Sequence, residues 1–224
     1  MTRVLVPVEI LDGETVPPGL IDLLAPADVT VLGYHVLPEQ TPPDQARAQF
    51  GERAAEALDG LTAKFRAAGG EADHRLVFTH ERRQTIDRIA EETGSAAYAV
   101  GGATGDVDDL VVTLSGEINA AAVVEFVVSL VAGRAIRVTL YGAGDVGDRL
   151  ETAERALADA GIEAGTVHHE VDGFEGLVET VAGHDAVVMG ERAPSLGSLL
   201  FGEAPERIAA ASVGPVLVVK SDAE

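Results

Sequence analysis

The chain has 224 residues, 46% of them hydrophobic, no cysteine and a formal net charge of −21. That length and apolar content fill one large or two small cores and exclude disorder, and the lack of cysteine excludes a disulfide framework or a thiolate metal site. Carboxylates coat both halves, and only Lys64 and Lys220 among the 16 basic residues are lysines, so the surface is expected to repel nucleic acid and anionic membranes and reads as an adaptation to a salt-rich cytoplasm, whose ions screen it.

The opening Met1-Thr2-Arg3 and the short run Val4 to Val8, broken by Glu9, do not form a signal peptide. The longest apolar stretch, Ala120 to Ala132, contains Glu125 and falls short of the roughly 20 residues of a membrane span. A cytoplasmic protein without direct membrane insertion is expected.

Arg3 to Val8 and Asp28 to Gly33 read as strands joined by a poor helix, Pro18 to Ala25. Thr41-Pro42-Pro43-Asp44 reads as a helix start with Thr41 as N-cap, and Phe50, Ala54, Leu58, Leu61 and Phe65 then gather on one face before Gly69-Gly70 stops the helix. Strand Asp73 to Phe78, a helix with Ile86, Ile89, Ala90 and Thr93 ended by Gly94, and strand Ala96 to Val100 follow.

The pattern restarts at Asp109 with strand Leu110 to Leu114, then helix Ile118 to Ala132, apolar almost all round and expected to be buried on more than one side. Strand Ala135 to Tyr141, a helix carrying Leu150, Ala153, Leu157 and Ala160 before Gly161, and strand Ala164 to Val171 come next. A helix with Phe174, Leu177, Val178 and Val181, strand Asp185 to Met189, helix Ala204 to Ala211 and strand Pro215 to Lys220 complete it. Alternating strands and helices imply two doubly wound α/β units in tandem, each with a mostly parallel sheet: a four-strand unit over 1–108 and a five-strand unit over 109–224.

Gly142-Ala143-Gly144-Asp145-Val146-Gly147 is a formal G-x-G-x-x-G between a strand and a helix, with Glu170 near the end of the next strand. It fits a dinucleotide (NAD) sensor or oxidoreductase site, or a plain glycine turn that ends the strand. Asp145 and Asp148 crowd the place of the pyrophosphate. His168 and His169 are adjacent on a strand, point to opposite faces and cannot easily share a metal. With no G-x-S-x-G, H-E-x-x-H or complete Walker motif, no catalytic residue and no metal ligand is nominated.

The order of elements resembles the universal stress protein family, and so do Leu5 to Glu9, Val187 to Arg192, Gly202 to Ile208 and Val213 to Lys220. The resemblance is to tandem members of halophilic-archaeal type, with the first unit truncated. It implies a non-catalytic stress-response or regulatory protein; a homodimer is expected, in which the final strand Pro215 to Lys220 could pair across a two-fold axis because edge strands invite partners, the choice of edge strand staying open. The implied partners are a regulatory protein or a transporter, for which the chain would serve as a nucleotide-free adaptor. Members that bind ATP or AMP hold the phosphates on a Gly-x-x-Gly, nine-residue, Gly-Ser/Thr loop. Carried over, the nucleotide site comprises Ser115, Gly116, Ala143, Gly190, Arg192, Gly197, Ser198 and Gly202, with Ala143 at the position whose backbone meets adenine. Ala193 and Glu203 stand where such members have glycine and a hydroxyl residue, and Glu9 where their first strand ends in aspartate.

Overall fold

The computed structural model describes residues 2–100, 102, 105–170, 174–191 and 214–220. The chain divides into two compact units, Met1–Gly101 and Gly102–Glu224, slightly before the expected division at 108.

The first unit runs β1 (Arg3–Glu9), α1 (Pro18–Leu23), β2 (Asp28–Val36), α2 (Pro43–Ala67), β3 (Glu71–Thr79), α3 (Arg82–Glu92) and β4 (Ala97–Val100). Its strands lie in the order β3-β2-β1-β4 and pair in parallel. Val4, Leu5, Val31 and Leu32 are fully buried, as expected of parallel strands covered on both faces, which is why these runs are apolar rather than alternating. Leu58 of α2 packs so closely on β2 that a Cβ at Gly33 would lie 2.6 Å from its Cδ1.

Helix α2 ends at the expected glycines in a Schellman motif. Gly69 has φ +100°, its N–H donates to Arg66 O (3.1 Å) and the Gly70 N–H donates to Phe65 O (3.3 Å). Gly94 and Gly161 end α3 and α5 (Gly147–Asp159) in the same way, the next N–H reaching Ala90 O (2.9 Å) and Leu157 O (2.9 Å). The start of α2 departs from expectation: Pro42, not Thr41, is the N-cap, with no side-chain cap bond. Because Pro43 follows it, Pro42 is held extended at ψ 134°. That delays the helix by a residue, and the Thr41 N–H closes a turn onto Pro38 O (2.9 Å).

The second unit runs β5 (Asp109–Thr113), α4 (Ala120–Val131), β6 (Arg137–Ala143), α5, β7 (Ala164–His169), α6 (Phe174–Val181), β8 (Ala186–Gly190) and β9 (Val216–Val219). Its strands are ordered β9-β8-β5-β6-β7, all pairs parallel. Numbered within each unit, the sheets read 3-2-1-4 and 3-2-1-4-5. The expected helix Ala204 to Ala211 lies outside the described residues. Helix α4 begins two residues later than expected because Asn119 caps it, accepting from the Ala122 N–H at 3.1 Å. It buries Val123, Phe126, Val127 and Leu130, while Ala121, Glu125 and Ser129 form an exposed stripe. Every residue of β9 is 4% exposed or less.

Asp185 ties the start of β8 to β5. Its carboxylate accepts from the N–H groups of Asp108 (3.0 Å) and Asp109 (2.9 Å), and its own N–H donates to Asp109 O (2.9 Å). Beside it Asp109 and Arg137, partners in the β5–β6 register, form a two-pronged ion pair. The hydrogen bond from Arg137 holds the Asp109 carboxyl below the usual carboxylate range. A depressed carboxylate stabilises the fold above its unfolded pKa, and the contribution is lost as pH falls through the folded value. Arg137→Gln is therefore expected to lower Tm slightly at neutral pH and low salt, the gap to the parent closing in acid below the usual carboxylate range and in molar salt. Thermal melts over pH and KCl concentration check this; a gap that widened in acid would refute it.

Candidate functional site

From β5 the chain of the second unit winds through β6 to β7, then returns to β8 on the other side of β5. In open parallel sheets the crevice for ligands lies at such a reversal, beyond the carboxyl ends of the strands. Ser115 and Gly116 follow β5, Ala143 ends β6 and Gly190 ends β8, so four of the proposed site residues meet at this crevice. Arg192, Gly197, Ser198 and Gly202 lie outside the described residues.

Ser115 is 2% exposed, and its Oγ accepts the Ala143 N–H at 2.9 Å. That bond pins the loops after β5 and β6 together, and it occupies the N–H of the residue whose backbone was expected to meet adenine. Gly116 takes a left-handed φ of +83°, which a side chain would strain. Arg149, in the first turns of α5, donates through Nη1 to Leu114 O (2.7 Å) and Gly116 O (2.8 Å), so the guanidinium fixes the same loop from the helix side. Gly190 lies against Ile118, whose Cβ and Cγ2 would be 2.8 Å from a Cβ placed there. Sequence reasoning missed Arg149 and Ile118; an arginine at the start of the helix that follows the glycine turn was the available signal.

The G-x-G-x-x-G segment behaves as a turn. A Cβ at Gly142 would meet Val146 Cγ2 at 2.6 Å and Leu150 Cδ1 at 2.8 Å, so the first glycine lets α5 pack on β6. Gly144 has φ +78°. Its N–H donates to His169 O (2.9 Å), its carbonyl accepts from the Val146 N–H (3.0 Å), and that carbonyl lies 2.9 Å from His168 Nε2. The N–H groups of Gly144 and Val146, which a pyrophosphate would use, thus have partners within the loop, and this weighs against the dinucleotide reading. His168 and His169 do part, the second ring packing against Tyr141 at 5.6 Å.

No helix among the described residues is long and apolar enough to cross a membrane. No protein-family model and no curated protein matches the sequence. Among solved structures the chain is similar to a universal stress protein from Archaeoglobus fulgidus DSM 4304, with TM-score 0.66 and 16% identity over 99% of this chain and 97% of that one. It is also similar to the hypothetical protein MJ0577, with TM-score 0.41 and 18% identity over 53% of this chain and 99% of that one. The repeated strand order and a likeness that spans nearly the whole chain give this protein the universal stress protein fold.

Proposed function

We propose that the protein is a non-catalytic stress-response regulator whose second unit takes an adenine nucleotide, AMP or ATP, at the crevice beyond β5, β6 and β8. The observation that carries this reading is the chemistry of the crevice. Ser115, Gly116, Ala143 and Gly190 are small residues that admit a flat ligand. The one hydroxyl among them is hydrogen-bonded to a backbone N–H rather than to an imidazole or carboxylate, so among the described residues of the crevice no activated nucleophile stands. Arg192, Gly197, Ser198 and Gly202 would hold the phosphates. The protein would work in the cytoplasm as a homodimer with a regulatory partner; of the outer strands of the second unit, β7 is the more exposed and the better edge for pairing.

A second reading, a nucleotide-free adaptor of a transporter, draws on the Ser115–Ala143 bond and on Ile118 lying over Gly190, which fill part of the crevice from within. Titration calorimetry of AMP, ATP and NAD in molar KCl separates them, the salt being needed to screen so acidic a chain. Saturable AMP or ATP binding that Gly202→Val weakens about ten-fold or more is expected. Silence with every ligand favours the adaptor, and NAD binding without AMP binding would overturn both readings.

A further inference from the structure

The first unit places a different set of groups at the carboxyl ends of its own strands. Parallel pairing puts Glu9, the last residue of β1, opposite Tyr34 of β2, so His35 comes beside it, and the turn after β1 brings back Asp12. A carboxylate oxygen of Glu9, one of Asp12 and a ring nitrogen of His35 all lie within 4.8 Å of one another, Glu9 and His35 half-buried and Asp12 exposed. Ligand atoms around a tetrahedral ion at about 2.1 Å lie about 3.4 Å apart, a small closure that the exposed Asp12 can make.

Two observations support an ion at this cluster. The Nδ1 of His35 is buried and has no hydrogen-bond partner, in a half-buried ring packed edge-on against Phe78, and such an orphan needs a reason. The carboxylate oxygens of Glu9 and Asp12 lie within 4.8 Å of each other, and Glu14 brings a third carboxylate to the Glu9 N–H. The Arg82 guanidinium lies 5.3 Å above the ring of Tyr34, the β2 residue opposite Glu9. Like charges so close repel, and a cation between them removes the repulsion.

The geometry points to a divalent transition-metal site in the first unit, formed by Glu9, Asp12 and His35, with Mn²⁺, Co²⁺ or Zn²⁺ as its class of ion. One imidazole and two carboxylates make a borderline donor set that suits these ions better than Ca²⁺ or Mg²⁺, which prefer oxygen alone. A cation among the three groups gives the ring nitrogen an electron-pair acceptor and offsets the repulsion of the two carboxylates. The site lies wholly in the first unit and stands or falls apart from nucleotide binding in the second.

Co²⁺ titration of the chelator-stripped full chain tests this, in molar KCl at neutral pH and without nucleotide, followed by visible d–d absorption with Zn²⁺ as competitor. One saturable equivalent is expected, displaced by Zn²⁺ and not by equimolar Mg²⁺. Asp12→Asn, at an exposed position, weakens it at least about ten-fold, and His35→Gln does so too and shifts the d–d envelope by changing the ligand field. Many weak sites that both variants leave unchanged, or full competition by Mg²⁺, would overturn the site.

Discussion

Gly214→Ala is expected to lower Tm by about 10 °C, the largest effect of a single methyl group at the described glycines of the second unit. A Cβ there would lie 1.6 Å from the carbonyl oxygen of Asp185 and 2.7 Å from its carbon. The obstacle is backbone, and it is held on three sides: the Asp185 N–H on Asp109 O, its carboxylate on the N–H groups of Asp108 and Asp109, and the next strand through the Val187 N–H to Pro215 O (3.0 Å). Pro215 follows, so the chain after Gly214 has little freedom to swing away. Overpacking typically costs about 1–3 kcal/mol, and a rigid carbonyl puts this case near or above the upper figure, which for a chain of this size corresponds to about 6–12 °C. Thermal melts in molar KCl, followed by far-UV circular dichroism, measure it; a Tm within about 2 °C of the parent would refute the close approach.

Gly142→Val should destabilise the protein by about 2–3 kcal/mol, whereas Gly147→Ala, in the same motif, should stay within about 0.5 kcal/mol. The side chains that meet Gly142, Val146 and Leu150, are 7% and 3% exposed and fix α5 to β6. A branched side chain there lifts the helix or forces both neighbours off their rotamers. A Cβ at Gly147 meets nothing within 4 Å. If the glycines served a pyrophosphate, both changes would chiefly affect ligand binding; if the first serves packing, only it moves the denaturation midpoint. Equal midpoints for the two variants would remove the packing account.

The strands of both units were legible because parallel strands covered on both faces are continuous apolar runs, as at Val4 to Val6 and Val187 to Met189. The helix stops were legible because Gly69, Gly94 and Gly161 each follow an amphipathic run, and only a left-handed residue closes the Schellman pattern without strain. The helix starts were harder: Thr41 looks like a cap until the second proline is seen to hold the first extended, and Asn119 hides in an apolar stretch. At the crevice, Ser115 and Ala143 followed from strand ends, but their bond did not, because it depends on how two loops cross. The Glu9, Asp12 and His35 cluster carries no sequence signal at all, since only the β1–β2 register brings His35 to Glu9.

The shared 3-2-1-4 strand order also bears on how such a chain can evolve. Each half builds its own crevice from its own strand ends, so a change that ruins one leaves the other whole, as with a duplicated gene whose copies are released to diverge. In homologous chains the two sets of residues should accordingly drift on separate clocks. Ser115, Gly116, Ala143 and Gly190 would be retained or lost as one group, and Glu9, Asp12 and His35 as another, with no correlation between them.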